Sequence, residues 1–137
     1  MKTIITHSAP ETQQQAGQIA KKFLQKGGVI ALTGELGAGK TTFAQGFAAG
    51  LGIKEKIISP TFILMRQHPI PNTKRVFYHI DLYRLEDIKG LGLEEITNNK
   101  ENIVLIEWAD KLQTLPENAI KITIEKLSEN SRQITVY

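Results

Sequence analysis

A three-layer α/β domain with a mixed, mainly parallel sheet and an antiparallel hairpin is the fold class this sequence predicts. Three observations predict it. Strand-like and helix-like segments alternate through the first half of the chain, and strands dominate the second half. Within the first half, a glycine-rich turn joins a buried apolar run to an amphipathic stretch. The 137 residues are expected to form one domain, 1–137. A chain of this length buries roughly two-thirds of its unfolded surface, and no linker, repeat or low-complexity tract divides it.

Lys2 to Thr6 reads as a short strand leading into a polar turn. Glu11 to Gln25 reads as a helix, because Ala16, Ile19, Ala20, Phe23 and Leu24 recur at helical spacing. Ser8 or Thr12 could cap its start, and Gly27-Gly28 stops it. Val29 to Thr33 is an apolar run with turn signals on both sides, as a buried parallel strand would be. A second helix runs from about Lys40 to Ala49 and is closed by Gly50 and Gly52. Phe62 to Gln67 and Arg75 to Asp81 read as an edge hairpin around the turn Pro69-Ile70-Pro71-Asn72. A polar, mostly helical segment spans Leu85 to Asn98. Ile103 to Ile106 is a second buried strand ending in Glu107 and Trp108, and strands near Ala119 to Lys126 and Arg132 to Tyr137 finish the chain.

Composition narrows the function classes. Hydrophobic residues make up 41% and charged residues 23%, a globular balance. No run approaches the ~18 apolar residues of a membrane span, and MKTIITHSAPET has no apolar signal core. Without cysteine there are no disulfides and no thiolate metal site, so the cytoplasm is the expected location and no membrane partner is expected. A net charge of +3 favours anions mildly and does not by itself make a nucleic-acid binder. His7, His68 and His79 are scattered and predict no metal cluster, with His79 a partly buried strand residue. Arg66, Arg75, Arg84 and Arg132 include no clustered pair of the kind a phosphotransferase lid uses. Asn99-Lys100-Glu101-Asn102 lacks the carboxylate that reads guanine and precedes a strand, so it supports no GTP preference. Lys21, Lys22 and Lys26 read as a solvated helix face, and Phe23, Phe43 and Phe47 as core.

Gly34-Glu35-Leu36-Gly37-Ala38-Gly39-Lys40-Thr41 fits G-x-x-x-x-G-K-[ST] at every fixed position. Glycines let the backbone curl so that successive amides point at phosphate oxygens. Lys40 reaches the β- and γ-phosphates, Thr41 offers a hydroxyl to Mg²⁺, and the helix N-terminus adds partial positive charge. With glycine at ~7% of residues, a chance match in so short a chain falls well under ~1%. The loop therefore predicts a P-loop NTPase fold and a bound nucleoside triphosphate.

Such a loop needs an acidic partner for Mg²⁺ and for the attacking water. Asp81 and Glu107 both end apolar strands, where ligands of parallel α/β sheets gather. Either acid could instead cap the next turn, and spacing does not decide which serves metal and which serves water. Ser59-Pro60-Thr61 lies where several nucleotide switches place a γ-phosphate-sensing threonine, though Ser-Pro is also ordinary turn chemistry.

Four motifs occur together in order: GELGAGKTT at Gly34 to Thr42, SPTF at Ser59 to Phe62, HIDLYRL at His79 to Leu85, and IEW at Ile106 to Trp108. In these the sequence resembles the TsaE (YjeE) family over nearly its full length. Where many members carry Pro or Gly and then an acid or amide after the Trp, this chain has Ala109-Asp110. The resemblance implies an ATPase required to make threonylcarbamoyladenosine in bacterial tRNA. It implies that Gly34 and Gly37, Ala38, Gly39, Lys40, Thr41 and Thr42 hold ATP phosphates, with Thr41 and Glu107 on Mg²⁺. Asp81 would lie close to the γ-phosphate, Thr61 would be the switch threonine, and Trp108 would sit near the nucleotide. Thr12 and Arg132 would flank that nucleotide. Lys40, Asp81, Glu107 and Thr61 would thus carry catalysis. The implied partners are TsaD and TsaB, the modifying pair, with tRNA reached indirectly through that complex. ATP hydrolysis would let the pair turn over.

A phosphate-loop core takes most of 137 residues, which leaves no second domain to grip tRNA or an acyl substrate. Two alternatives share the loop: a small-molecule kinase, whose turnover rises with a hydroxylated acceptor, and a nucleotide-sensing module with no need of Asp81 or Glu107.

Overall fold

The computed structural model describes residues 1–35, 37–57, 65–83, 92–112 and 114–137. Along the chain run β1 (Lys2–Thr6), α1 (Ala9–Lys21), β2 (Gly28–Thr33), α2 (Lys40–Gly50), β3 (Met65–Pro69) and β4 (Val76–Asp81). There follow α3 (Leu93–Asn98), β5 (Asn102–Glu107), a 3-10 turn (Ala109–Lys111), β6 (Ile120–Lys126) and β7 (Arg132–Val136). The strands form one sheet in the order β1-β7-β6-β2-β5-β4-β3. Its centre is parallel: β2 pairs with β5 and β6, and β4 pairs with β5. Antiparallel pairs finish both edges, β3 on β4 and the β1–β7–β6 meander. The mixed sheet with parallel central strands and the edge hairpin are therefore as the sequence predicts, though parallel and antiparallel pairings are three each.

Parallel strands buried on both faces read as continuous apolar runs, and β2 and β5 do so. On one face Ile30, Leu32, Phe77, Ile103, Leu105 and Ile122 meet Ala16, Ala20, Phe43 and Phe47 of α1 and α2. On the other face Val29, Ala31, Ile80, Val104 and Ile106 meet Ala109 and the half-buried Leu93, Ile96 and Leu112. That makes three layers. An aromatic column ties the helical layer to the sheet, with Phe23–Phe47 centroids at 6.1 Å and Phe47–Phe77 at 5.7 Å.

Some boundaries depart from the sequence reading. α1 begins at Ala9 and not Glu11, because Ser8 is the cap: its hydroxyl accepts from Glu11 N at 3.2 Å. Pro10 then sits in the first turn, where its missing N–H costs nothing. Thr12 is inside the helix and 1% exposed, so it caps nothing. The helix ends at Lys21 and not Gln25, since Phe23 N already bonds Ala20 O three residues back and Gly27 N closes onto Phe23 O. Arg75 holds the chain after it, donating to Leu24 O, Gln25 O and Lys100 O at 2.8, 2.6 and 2.9 Å. Pro69 belongs to β3 and the turn follows it. Phe62 to Leu64 of the predicted hairpin strand and the first part of the Leu85 to Asn98 segment lie outside the described residues. Lys21, Lys22 and Lys26 are exposed, and Phe23, Phe43 and Phe47 are buried, as expected.

Candidate functional site

Parallel pairing brings the carboxyl ends of β2, β5 and β4 to one end of the sheet, and the glycine-rich loop leaves β2 there. Two residues of this loop need glycine. Gly37 and Gly39 have φ of 78° and 104°, the region where a Cβ is strained. Gly39 is the residue before α2, so the loop opens directly onto the helix N-terminus with no side-chain cap. The first amides of a helix have no partner inside it, and here they belong to Lys40, Thr41 and Thr42. An anion with several oxygens suits that end.

Lys40 is 6% exposed and lies back across the loop. Its ammonium donates to Gly34 O at 2.6 Å and Glu35 O at 2.8 Å, and sits 4.2 Å from the centroid of the Trp108 ring. Burial lowers its pKa from 10.5, opposed in turn by Glu107, Asp81, Asp110 and Glu35. Two of these, Glu107 and Asp81, are the strand-end acids that the sequence singled out.

Asp81 and Glu107 are Cα partners across β4 and β5, and Leu32, one residue from the end of β2, pairs with Glu107 on the other side. Strand alternation turns both carboxylates to the face of α2, since their i−2 and i−4 neighbours Phe77, Ile103 and Leu105 lie in that core. Both are nearly enclosed, 3% and 2% exposed. Asp81 Oδ1 accepts from Tyr83 N at 2.9 Å, so the turn-capping role weighed from sequence is present as well. Glu107 Oε2 bonds His79 Nε2. His79 is therefore neither half-buried nor isolated: it is 0% exposed and its partner is a site acid. Strand periodicity was the available signal, because His79 and Asp81 share one face of β4.

Trp108 follows Glu107 at φ 58° and ψ 40°, a left-handed conformation that costs a non-glycine residue about 1 kcal/mol or more. That turn swings its ring over Lys40 and against Tyr83, with centroids 4.8 Å apart. Arg132 braces the loop from β7, with Nε donating to Ala38 O at 2.8 Å and Nη1 donating to the carbonyls of Ser128, Glu129 and Ser131. The Thr12 and Thr6 hydroxyls share a 2.6 Å hydrogen bond, and Thr12 still borders, with Gly39, Thr42 and Arg132, a pocket of about 80 Å³ beside the loop. On the loop's other side a cleft of about 600 Å³ opens between β6 and the 3-10 turn, bordered by Gly34, Glu35, Ala38, Trp108 and Thr123. Sequence reasoning did not find this cleft, since it forms only where β6 docks on β2. Leu36 and Thr61 lie outside the described residues, and Thr61's role stays with the resemblance. Among the described residues no three His, Cys, Asp or Glu side chains gather as a metal site, and no helix is long and apolar enough to cross a membrane.

The sequence model of the family described as threonylcarbamoyl adenosine biosynthesis protein TsaE matches residues 6–134. The chain is 38% identical over 128 residues to the tRNA threonylcarbamoyladenosine biosynthesis protein TsaE of Bacillus subtilis, covering 92% of this chain and 79% of that one. It is 37% identical over 136 residues to the Treponema pallidum protein of the same name, covering 96% and 97%. In structure it is similar to crystalline Bacillus subtilis YdiB, with a TM-score of 0.79 and 32% identity over 98% of this chain and 83% of that one.

Proposed function

The chain belongs to the TsaE family, and from that premise we propose that it is a Mg²⁺-dependent ATPase serving threonylcarbamoylation of the adenosine beside the tRNA anticodon. Its partners in this reading are TsaD and TsaB, and tRNA is met only through them. One observation carries the ATPase assignment: two enclosed carboxylates stand side by side on parallel strands and face the helix whose first residue is Lys40.

The donor set fits magnesium. Thr41 and Glu107 offer hard oxygens, and a cation that keeps water and phosphate ligands needs only one or two protein groups. Bound there, Mg²⁺ would supply positive charge to the β- and γ-phosphate oxygens. Glu107 suits the metal better than Asp81 because β5 lies directly beside the loop strand while β4 is one strand further out. Asp81 is then the acid that orients water for in-line attack on the γ-phosphate. Lys40 exchanges its bonds to Gly34 O and Glu35 O for phosphate oxygens, and the amides of Lys40, Thr41 and Thr42 share the developing charge. Thr12 and Arg132 flank the nucleotide, with Trp108 beside it.

The deciding experiment measures ATP turnover of the full chain alone, with TsaD–TsaB, and with that pair plus tRNA. Turnover is expected to be slow alone, to rise with the pair and to vanish in EDTA. Turnover that ignores the pair and rises with a small hydroxylated acceptor would replace this reading with a kinase.

A pH dependence follows from Lys40. Its pKa is lowered by burial, and only the ammonium attracts phosphate, so ATP affinity is expected to fall as pH rises, with the bend below the ordinary lysine value of 10.5. Calorimetric titrations from neutral to alkaline pH at constant ionic strength check this; a flat profile up to that value contradicts it.

A further inference from the structure

We propose that His79 is a positioning residue: by holding Glu107 Oε2 it fixes the carboxylate so that Oε1 is the oxygen presented to the metal. The proposal rests on the reading that Glu107 serves Mg²⁺. A carboxylate can only accept, so His79 Nε2 carries the proton and donates it. His79 Nδ1 is buried and has no hydrogen-bond partner among the described residues. The bond to Glu107 is therefore the one that satisfies a donor of this ring. Among the described residues nothing else polar anchors this histidine. Its buried polarity therefore serves the acid and not the core.

Packing makes the ring a rigid support. His79 stacks on Phe77 with centroids 6.2 Å apart and planes at 18°, and Phe77 rests on Phe47 of α2. The column runs Phe47–Phe77–His79 and ends on Glu107, so the acid is referenced to the same helix that carries Lys40 and Thr41. Loop lysine and strand acid thus share one frame. Ligating carboxylates that are themselves hydrogen-bonded lose metal affinity by about 10- to 100-fold when the supporting partner is removed.

The test uses the full chain and Mn²⁺ as the probe, with ADP present, read by electron paramagnetic resonance; ADP binding in EDTA and thermal melting are measured beside it. His79→Phe keeps the stack and removes the donor. It is expected to weaken Mn²⁺ binding by about 10- to 100-fold while metal-free ADP affinity stays unchanged. His79→Gln, whose amide reaches near the Nε2 position, is expected to recover most of the loss. In a Glu107→Gln background, His79→Phe is expected to add nothing. Wild-type Mn²⁺ affinity in His79→Phe, or additive losses in the double variant, would overturn the proposal. If Glu107→Gln alone leaves Mn²⁺ binding intact, the metal reading of Glu107 has failed first. Should the Phe variant not fold, His79→Asn, whose amide stops near Nδ1, against His79→Gln makes the same comparison: equal Mn²⁺ affinities overturn the proposal and a weaker Asn variant supports it.

Discussion

Lys40→Ala is expected to weaken ATP binding by roughly 1,000-fold and to abolish turnover. The ammonium already makes two short bonds to loop carbonyls, so its reach and its enclosure are both set before any nucleotide arrives. Transferred to phosphate, two charge-assisted bonds at about 2 kcal/mol each give that factor, at roughly 1.4 kcal/mol per tenfold. Isothermal titration with ATP and Mg²⁺ measures the loss directly. Thermal melting of the same sample separates it from misfolding: the variant sheds a buried charge but strips a donor from Gly34 O and Glu35 O, and these effects oppose one another. Lys40→Arg should rescue poorly, because a planar fork does not fit a slot shaped by two carbonyls and the Trp108 face. Unchanged affinity in the alanine variant would mean that the loop does not hold phosphate through this residue.

Gly46→Ala is expected to cost about 3 kcal/mol of stability, lowering Tm by on the order of 10 °C. A helix interior ordinarily gains about 1 kcal/mol from this change, so the sign rests on packing alone. A Cβ at Gly46 would stand 2.3 Å from Gln13 O and 2.4 Å from Gln13 Cα, and both atoms are backbone. No rotamer change relieves that. α1 and α2 would have to separate, and their contact continues at Gly50, where a Cβ would meet Gly17 O at 2.4 Å. The separation matters beyond stability, since α1 carries Thr12 and α2 carries Thr42, and both line one small pocket. Differential scanning calorimetry provides the check, and a Tm within a degree of wild type would show that the helices can part freely.

Legibility varied with how local the cause was. The loop was readable in full because eight consecutive residues contain its own turn chemistry, and the structure bears out the strand before it and the helix after it. β2 and β5 were readable because strands buried on both faces leave an apolar run. The end of α1 was misplaced because Leu24 keeps the helical period for three residues after the backbone has already tightened, and periodicity registers side chains, not hydrogen bonds. No local pattern marks Thr12, because the residues that share its pocket, Thr42 and Arg132, come from segments thirty and one hundred and twenty residues away.

The sequence by itself determined the glycine-rich loop, its lysine, the two strand-end acids and the α/β architecture. Each is written in neighbouring residues or in a single period. Only the tertiary structure decided that Asp81 and Glu107 stand in register, that Glu107 lies one strand nearer the loop, and that His79 bonds Glu107. Strand order and the stacking of Phe47, Phe77 and His79 join segments far apart in the chain, and no local pattern specifies which strand lies beside which. Burial then sets the electrostatics of these groups, because a carboxylate or an ammonium takes its strength from the water excluded around it.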